Sequence, residues 1–118
     1  MPLKPESRAW FEKAIFDLAI AQAHMQSHLW TDAGQFARQA AQKFLQAGLV
    51  AYGEPEPSPR LGQLGAALAQ RAGGFQAQPE WAELDRFASP ESVGETEGRR
   101  AFAQAEQIRD AIAALLSR

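Results

Sequence analysis

His24 and His28 are the two histidines of this 118-residue chain, and they stand four residues apart. On a helix that spacing puts both imidazoles on one side, where they could hold a metal ion or exchange protons near neutral pH. Asp17 falls on the same helical stripe, but seven residues at 1.5 Å rise leave it about 10 Å away along the axis. A third ligand would have to come from another helix and none stands out, so no metal site is expected. The histidines read instead as solvated or hydrogen-bonded side chains near a helix end. Asp17 is expected to pair with a cation on the neighbouring helix, Arg38 or Lys43. An exposed pair of that kind is worth about 0–1 kcal/mol. Trp10 and Trp30 could stack a base, although aromatics at helix ends commonly fill a core or an interface.

The other chemistries find no residues. The chain has no cysteine, which removes thiol nucleophiles, disulfides and thiolate-bound metals together. Gly73-Gly74 lacks the preceding strand and the following Lys-Ser/Thr of a phosphate loop. Glu54/Glu56 and Glu95/Glu97 are expected in loops too wet for a paired-carboxylate acid and base. No catalytic residue, metal or cofactor is expected.

Composition is that of one globular domain spanning residues 1–118, 46% hydrophobic and 22% charged. A formal charge of −2, with Arg99-Arg100 the one adjacent basic pair, makes nucleic acid an unlikely partner on electrostatic grounds. No apolar run approaches the roughly 18 residues of a membrane span. Met1-Pro2-Leu3-Lys4-Pro5-Glu6 lacks the apolar core of a signal peptide. A soluble, cytoplasmic protein is expected.

The elements that must position these side chains are helices. Phe11, Ile15, Leu18, Met25 and Leu29 form a stripe at about 100° per residue. Thr31 or Asp32 is expected to cap a second helix over about residues 32–52. Phe36, Ala40, Phe44, Ala47 and Ala51 line one flank of it, and Ala37, Ala41, Leu45, Gly48 and Tyr52 lie beside them. Gln35, Gln39, Gln42 and Gln46 take the other side. So much alanine lets neighbouring backbones approach closely and predicts a central helix. Pro55, Pro57 and Pro59 end it. Leu61, Leu64 and Leu68 predict a short helix broken by Gly73-Gly74, and Trp81, Leu84 and Phe87 a second short one. Ser89-Pro90 through Gly94 read as a loop. Thr96 is the expected N-cap of a last helix with the seam Ala101, Ala105, Ile108, Ile112 and Leu115. The expected fold is all-α, an antiparallel up-down bundle of three long and two short helices. Phe16, Ile20 and Ala23 make a second apolar strip, roughly opposite the first stripe. A helix sandwiched between its own bundle and a second subunit would need one, so these three residues are the candidate homodimer interface.

The run from Ala33 to Ala47, with Gln39-Ala40-Ala41-Gln42-Lys43-Phe44-Leu45-Gln46-Ala47 at its heart, resembles the second-helix signature of HEPN domains, the nucleotide-binding domains of higher eukaryotes and prokaryotes. That signature carries an aromatic and then Gln-Ala-Ala-Glu-Lys-x-Leu-Lys-Ala. Trp10, Ala14, Asp17-Leu18 and Ala21 are similar to the family's first helix. Gly53 with its prolines, Leu61, Leu64, Leu68, Leu84-Asp85-Arg86-Phe87 and the Thr96–Ile108 segment follow in the family's order. Three positions depart from it. Gln42 replaces the signature's Glu, Gly62 stands where a His often opens the third helix, and Arg86-Phe87-Ala88-Ser89-Pro90 replaces an Arg-Tyr-Pro element.

The resemblance implies a homodimer that works beside a small (minimal) nucleotidyltransferase in a two-gene, toxin-antitoxin-like system, where it binds its partner or presents a nucleotide or substrate. Arg38, Lys43 and Arg86, the basic residues nearest the signature positions, become with Asp17 the candidate ligand- or partner-binding residues. They would line a cleft on the first two helices, against the alternative of ordinary surface solvation. Ribonuclease members of the family use an Arg-x(4–6)-His motif across a dimer cleft. No such pair exists in this chain, so a non-catalytic interaction module is expected, with a divergent ribonuclease toxin as the competing reading.

Overall fold

The computed structural model describes residues 4–89 and 91–118. Met1, Pro2 and Leu3, which open the segment read for an apolar signal core, lie outside the described residues, as does Pro90 of the expected loop. The described residues form five helices and no strand: α1 (Pro5–Gln26), α2 (Trp30–Ala51), α3 (Leu61–Arg71), a 3₁₀ helix (Pro79–Ala88) and α4 (Glu95–Leu116).

α2 is the centre of the molecule. Twelve of its 22 residues are buried, and it packs against all four other helices. Ala33, Ala37, Ala40, Ala41 and Ala47 are fully buried along it, so its neighbours lie close to its backbone. Phe44 and Leu45, the largest fully buried side chains of this stretch, lie beside them.

α1 begins at Pro5, whose fixed φ suits the first helical turn, and ends at Gln26, three residues before Leu29, the last residue of the expected stripe. The amide of Leu29 donates to the carbonyl of His24 at 2.8 Å, and that of His28 to Met25 at 3.0 Å. His28 itself has φ 61°. This is a Schellman stop with histidine in the left-handed position that glycine usually takes. His28 therefore lies outside α1, and the i, i+4 pair does not form. Nor does Thr31 or Asp32 cap α2, whose N-cap is Leu29. Instead the Thr31 Oγ1 accepts the Val93 amide at 2.9 Å, tying the start of α2 to the loop before α4.

The cross-helix contacts give the chain directions. Phe11 meets Phe44 edge-on at 5.0 Å, and His24 stacks on Phe36 at 5.4 Å, so α1 and α2 are antiparallel. α4 runs parallel to α2, because Gly98 sits against Trp30 and Ile112 against Gly48. The expected up-down alternation is thus carried partly by segments that are not α-helical. From Gly53 (φ 151°) the proline segment runs back along α2. Gln46 donates its amide to the Glu56 carbonyl at 2.6 Å and accepts the Glu56 amide at 3.1 Å. Further up, Arg38 (3.0 Å) and Gln42 both donate to the Pro59 carbonyl. Prolines lack amides but keep carbonyls, and the polar side of α2 supplies the donors those carbonyls require.

The second return is the 3₁₀ helix. At three residues per turn, side chains three apart eclipse, and Trp81, Leu84 and Phe87 form one buried line. The N-cap of α4 is Gly94 rather than Thr96, with the Glu97 carboxylate accepting the Gly94 amide at 3.0 Å. Glu95 and Glu97 therefore belong to its first turn and not to a loop. Its seam Ala101, Ala105, Ile108, Ile112 and Leu115 is buried. No helix among the described residues is long and apolar enough to cross a membrane.

Candidate functional site

The four candidate binding residues do not converge. Lys43 donates to Asp17 at 2.5 Å across the α1–α2 contact, where Asp17 is only 7% exposed. The pair is not the exposed bridge that sequence suggests. It is a neutralised carboxylate inside a helix interface. Arg38, five residues earlier on α2, projects about 140° away from Lys43. Its Nε lies 3.6 Å from Asp85 of the 3₁₀ helix. That carboxylate also accepts the Leu61 amide through both oxygens at 3.1 Å. Asp85 thus supplies the first turn of α3 with the cap it lacks, and Arg38 balances its charge. These contacts hold the proline segment, α3 and the 3₁₀ helix to α2.

Arg86 lies elsewhere, exposed, with its guanidinium 5.8 Å from the ring of Phe87. It lines a cleft of about 240 Å³ with Arg100, Glu83, Glu97, Thr96 and Gln104. Arg100 is neutralised by Glu83 at 2.9 Å. Gln104, almost fully buried, donates to the Glu80 carbonyl at 3.3 Å. Arg100 and Gln104 were not among the sequence candidates. The Arg99-Arg100 pair was the available signal for the first. Gln104 had none, because a lone amide beside an apolar seam reads as surface.

His24 stacks on Phe36, while His28 stacks on Trp30 at 5.2 Å, with the Arg99 guanidinium 5.1 Å from the Trp30 ring. The two imidazoles thus serve different aromatic partners. Among the described residues no group of three or more His, Asp or Glu is placed to hold a metal ion.

The outer side of α1 leaves large apolar side chains exposed. Its buried side is Ser7, Ala14, Asp17, Leu18 and Ala21, of which Leu18 alone belongs to the expected stripe. Phe11 and Met25 are half-buried, while Ile15 (41%) and Leu29 (46%) are exposed. Of the candidate interface residues, Phe16 is 68% exposed, Ala23 is exposed and Ile20 half-buried. With Ala19 they make an uncovered apolar face, and the groove between this helix and α4 opens beside it.

The sequence profile of the HEPN domain matches residues 7–115. The chain belongs to the HEPN family. A search of the curated proteins finds no match, and a search of the solved structures finds none either. Within this HEPN domain the departures from the signature have visible consequences. Gln42 donates to the proline segment. Gly62 is exposed, facing Ala82 with room for a Cβ at 3.5 Å. Phe87, in place of an Arg-Tyr-Pro tyrosine, packs its ring onto Gly34 of the signature run itself.

Proposed function

We propose that this HEPN chain is a non-catalytic interaction module, a cytoplasmic homodimer that serves a small nucleotidyltransferase in a two-gene, toxin-antitoxin-like system. The observation that carries the reading is the outer face of α1. A helix that already buries Ala14, Leu18 and Ala21 against its own bundle leaves Phe16 and Ile15 in water. Burying an exposed phenylalanine is worth roughly 1.5–3 kcal/mol, and a second subunit is the cover that costs no further sequence.

The chemistry of the remaining sites supports binding over catalysis. Downstream of Arg99 and Arg100, the window where an Arg-x(4–6)-His pattern would place its histidine carries Gln104, Ala105, Glu106 and Gln107. None of these is a histidine, the side chain this motif uses as its acid and base. Asp17, Lys43 and Arg38 are engaged in holding helices together. Arg86, at the mouth of the cleft against α4, is the cation left to meet a nucleotide phosphate or an acidic partner side chain.

Light scattering at micromolar concentration tests the dimer, with twice the chain mass expected and Phe16→Glu returning the monomer. A monomeric wild type would overturn the reading. Co-purification with a co-expressed minimal nucleotidyltransferase tests the partner, and Arg86→Glu is expected to weaken a nucleotide-dependent complex while leaving the dimer intact.

A further inference from the structure

Glu83 and Arg86 are three residues apart on the 3₁₀ helix, a spacing that stacks side chains on one side of it. Thr96, Arg100 and Gln104 stand four apart on α4 and share one stripe. The two rows face each other across the cleft of about 240 Å³. Its cations are Arg86 and Arg100, and its carboxylates are Glu83 and Glu97, so the cleft offers an anion no net positive charge. Glu80, one turn before Glu83, lines the neighbouring recess and not this cleft.

The two carboxylates of the cleft are held differently. Glu97 caps α4 by accepting the Gly94 amide at 3.0 Å. Glu83 sets both its oxygens against one nitrogen of Arg100, at 3.0 and 2.9 Å. Its Oε2 also accepts the side-chain amide of Gln104 at 3.4 Å, longer than a well-formed hydrogen bond. Glu83 thus sits between a guanidinium and an amide N–H, where an oxyanion from solution would sit. Its side chain is 46% exposed and that of Arg100 61%, and an ion pair so wet holds weakly.

We propose that Glu83 is a built-in competitor of a phosphate group for Arg100 and Gln104, and that the cleft takes a phosphorylated small molecule only as the Arg100–Glu83 pair parts. The proposal rests on the reading of this cleft as the place where Arg86 meets a ligand; it adds which anion binds and what holds that anion back. Charge decides for phosphate over an acidic side chain. A second carboxylate would bring Arg100 no more than Glu83 already does. A phosphate monoester carries a charge of about −1.5 to −2 near pH 7 and three acceptor oxygens, one for each guanidinium and one for the Gln104 amide. With Glu83 turned to solvent, Arg86 and Arg100 outnumber Glu97 and the cleft becomes cationic. Glu83 therefore excludes weak anions and yields to a strong one.

NMR titration of the full chain at low salt with adenosine 5′-monophosphate, adenosine, inorganic phosphate and acetate tests this. The monophosphate and phosphate are expected to bind, and adenosine and acetate are not. Glu83→Gln keeps the side chain's size and removes the competitor, so affinity for both phosphates rises by about three- to tenfold. Arg100→Gln weakens binding by about tenfold, and in that background the Glu83→Gln gain disappears. Both positions are exposed, and an unchanged thermal melt verifies the fold of each variant. Equal affinity in wild type and Glu83→Gln, or a gain of the same size in the Arg100→Gln background, would overturn the competitor and leave the cleft reading standing. Acetate binding as tightly as phosphate would overturn the choice of anion. No binding of either phosphate by wild type or Glu83→Gln would overturn both the inference and the cleft reading.

Discussion

Replacing Gly34 by alanine ought to stabilise an isolated helix and destabilise this protein. A Cβ at Gly34 would fall 2.0 Å from Cε1 of Phe87, 2.4 Å from Cδ1 and 2.6 Å from Cζ. Carbon atoms in contact normally stand about 3.5–4.0 Å apart, so the ring must retreat by about 1.5 Å. Phe87 is buried in the line it shares with Leu84 and Trp81, so moving the ring breaks its contacts there. Gly→Ala in a helix interior is worth about 1 kcal/mol in favour of the variant. Displacing the ring from its seat forfeits roughly 2–3 kcal/mol of burial and packing. The balance is a destabilisation of about 1–2 kcal/mol, or a melting temperature lower by roughly 3–8 °C. Urea unfolding followed by circular dichroism measures it. The decisive comparison is the same substitution in a Phe87→Ala background. Phe87→Ala alone costs about 3–5 kcal/mol, but it removes the atoms the new methyl would strike. There Gly34→Ala should stabilise by about 1 kcal/mol, so the sign reverses. An effect of the same sign in both backgrounds would show that the Phe87 ring does not dock in the Gly34 notch, and the account of how the 3₁₀ helix is held would fail with it.

Two other predictions follow from the polar residues. Lys43→Met leaves the Asp17 carboxylate without its cation inside the α1–α2 interface. Because Lys43 is about a third exposed, the fully buried figure is discounted to a loss of about 1–3 kcal/mol, and Asp17→Leu added to it should recover most of that; chemical denaturation measures both, and an unchanged midpoint in Lys43→Met would refute the role. Against structured and single-stranded RNA the purified chain should show no cleavage above buffer, while cleavage that persists in a His24→Ala/His28→Ala variant would establish a ribonuclease with a base other than histidine.

What sequence revealed and what it concealed can be traced to particular helices. The seams of α3 and α4 were legible because their large apolar residues recur at three- and four-residue spacing between glycine and proline breaks, and large residues at those positions have one place to go. Trp81, Leu84 and Phe87 were legible as a buried set, and their strict spacing of three is the mark of the 3₁₀ form they adopt. The end of α1 was not legible, since a histidine in the left-handed position carries no stop signal of the kind that glycine gives. The site was less legible still. Arg38 and Arg86 look like neighbours of one signature, yet Arg38 is drawn to Asp85 and Pro59, and Arg86 to a cleft on the far side of the 3₁₀ helix. Pairings that span tens of residues leave no local pattern to read.

α1 was misread for a different reason, and it bears on function. Hydrophobic size nominated Phe11, Ile15, Leu18, Met25 and Leu29 as the buried stripe. Yet the neighbour that α1 must meet is α2, whose contact side is alanine. Two helices can approach closely only if both present small residues, so α1 turns Ser7, Ala14 and Ala21 inward and admits Asp17 because Lys43 neutralises it. Close packing against α2 therefore forces the larger side chains, Ile15 and Phe16 above all, to the outside. The same alanines that mark α2 as the signature helix of a HEPN domain thus produce the exposed apolar face on α1. On this argument the monomer's own packing creates the surface that the proposed second subunit would cover. Restoring bulk inside, for example by Ala14→Leu, should loosen the α1–α2 contact and weaken dimerisation together.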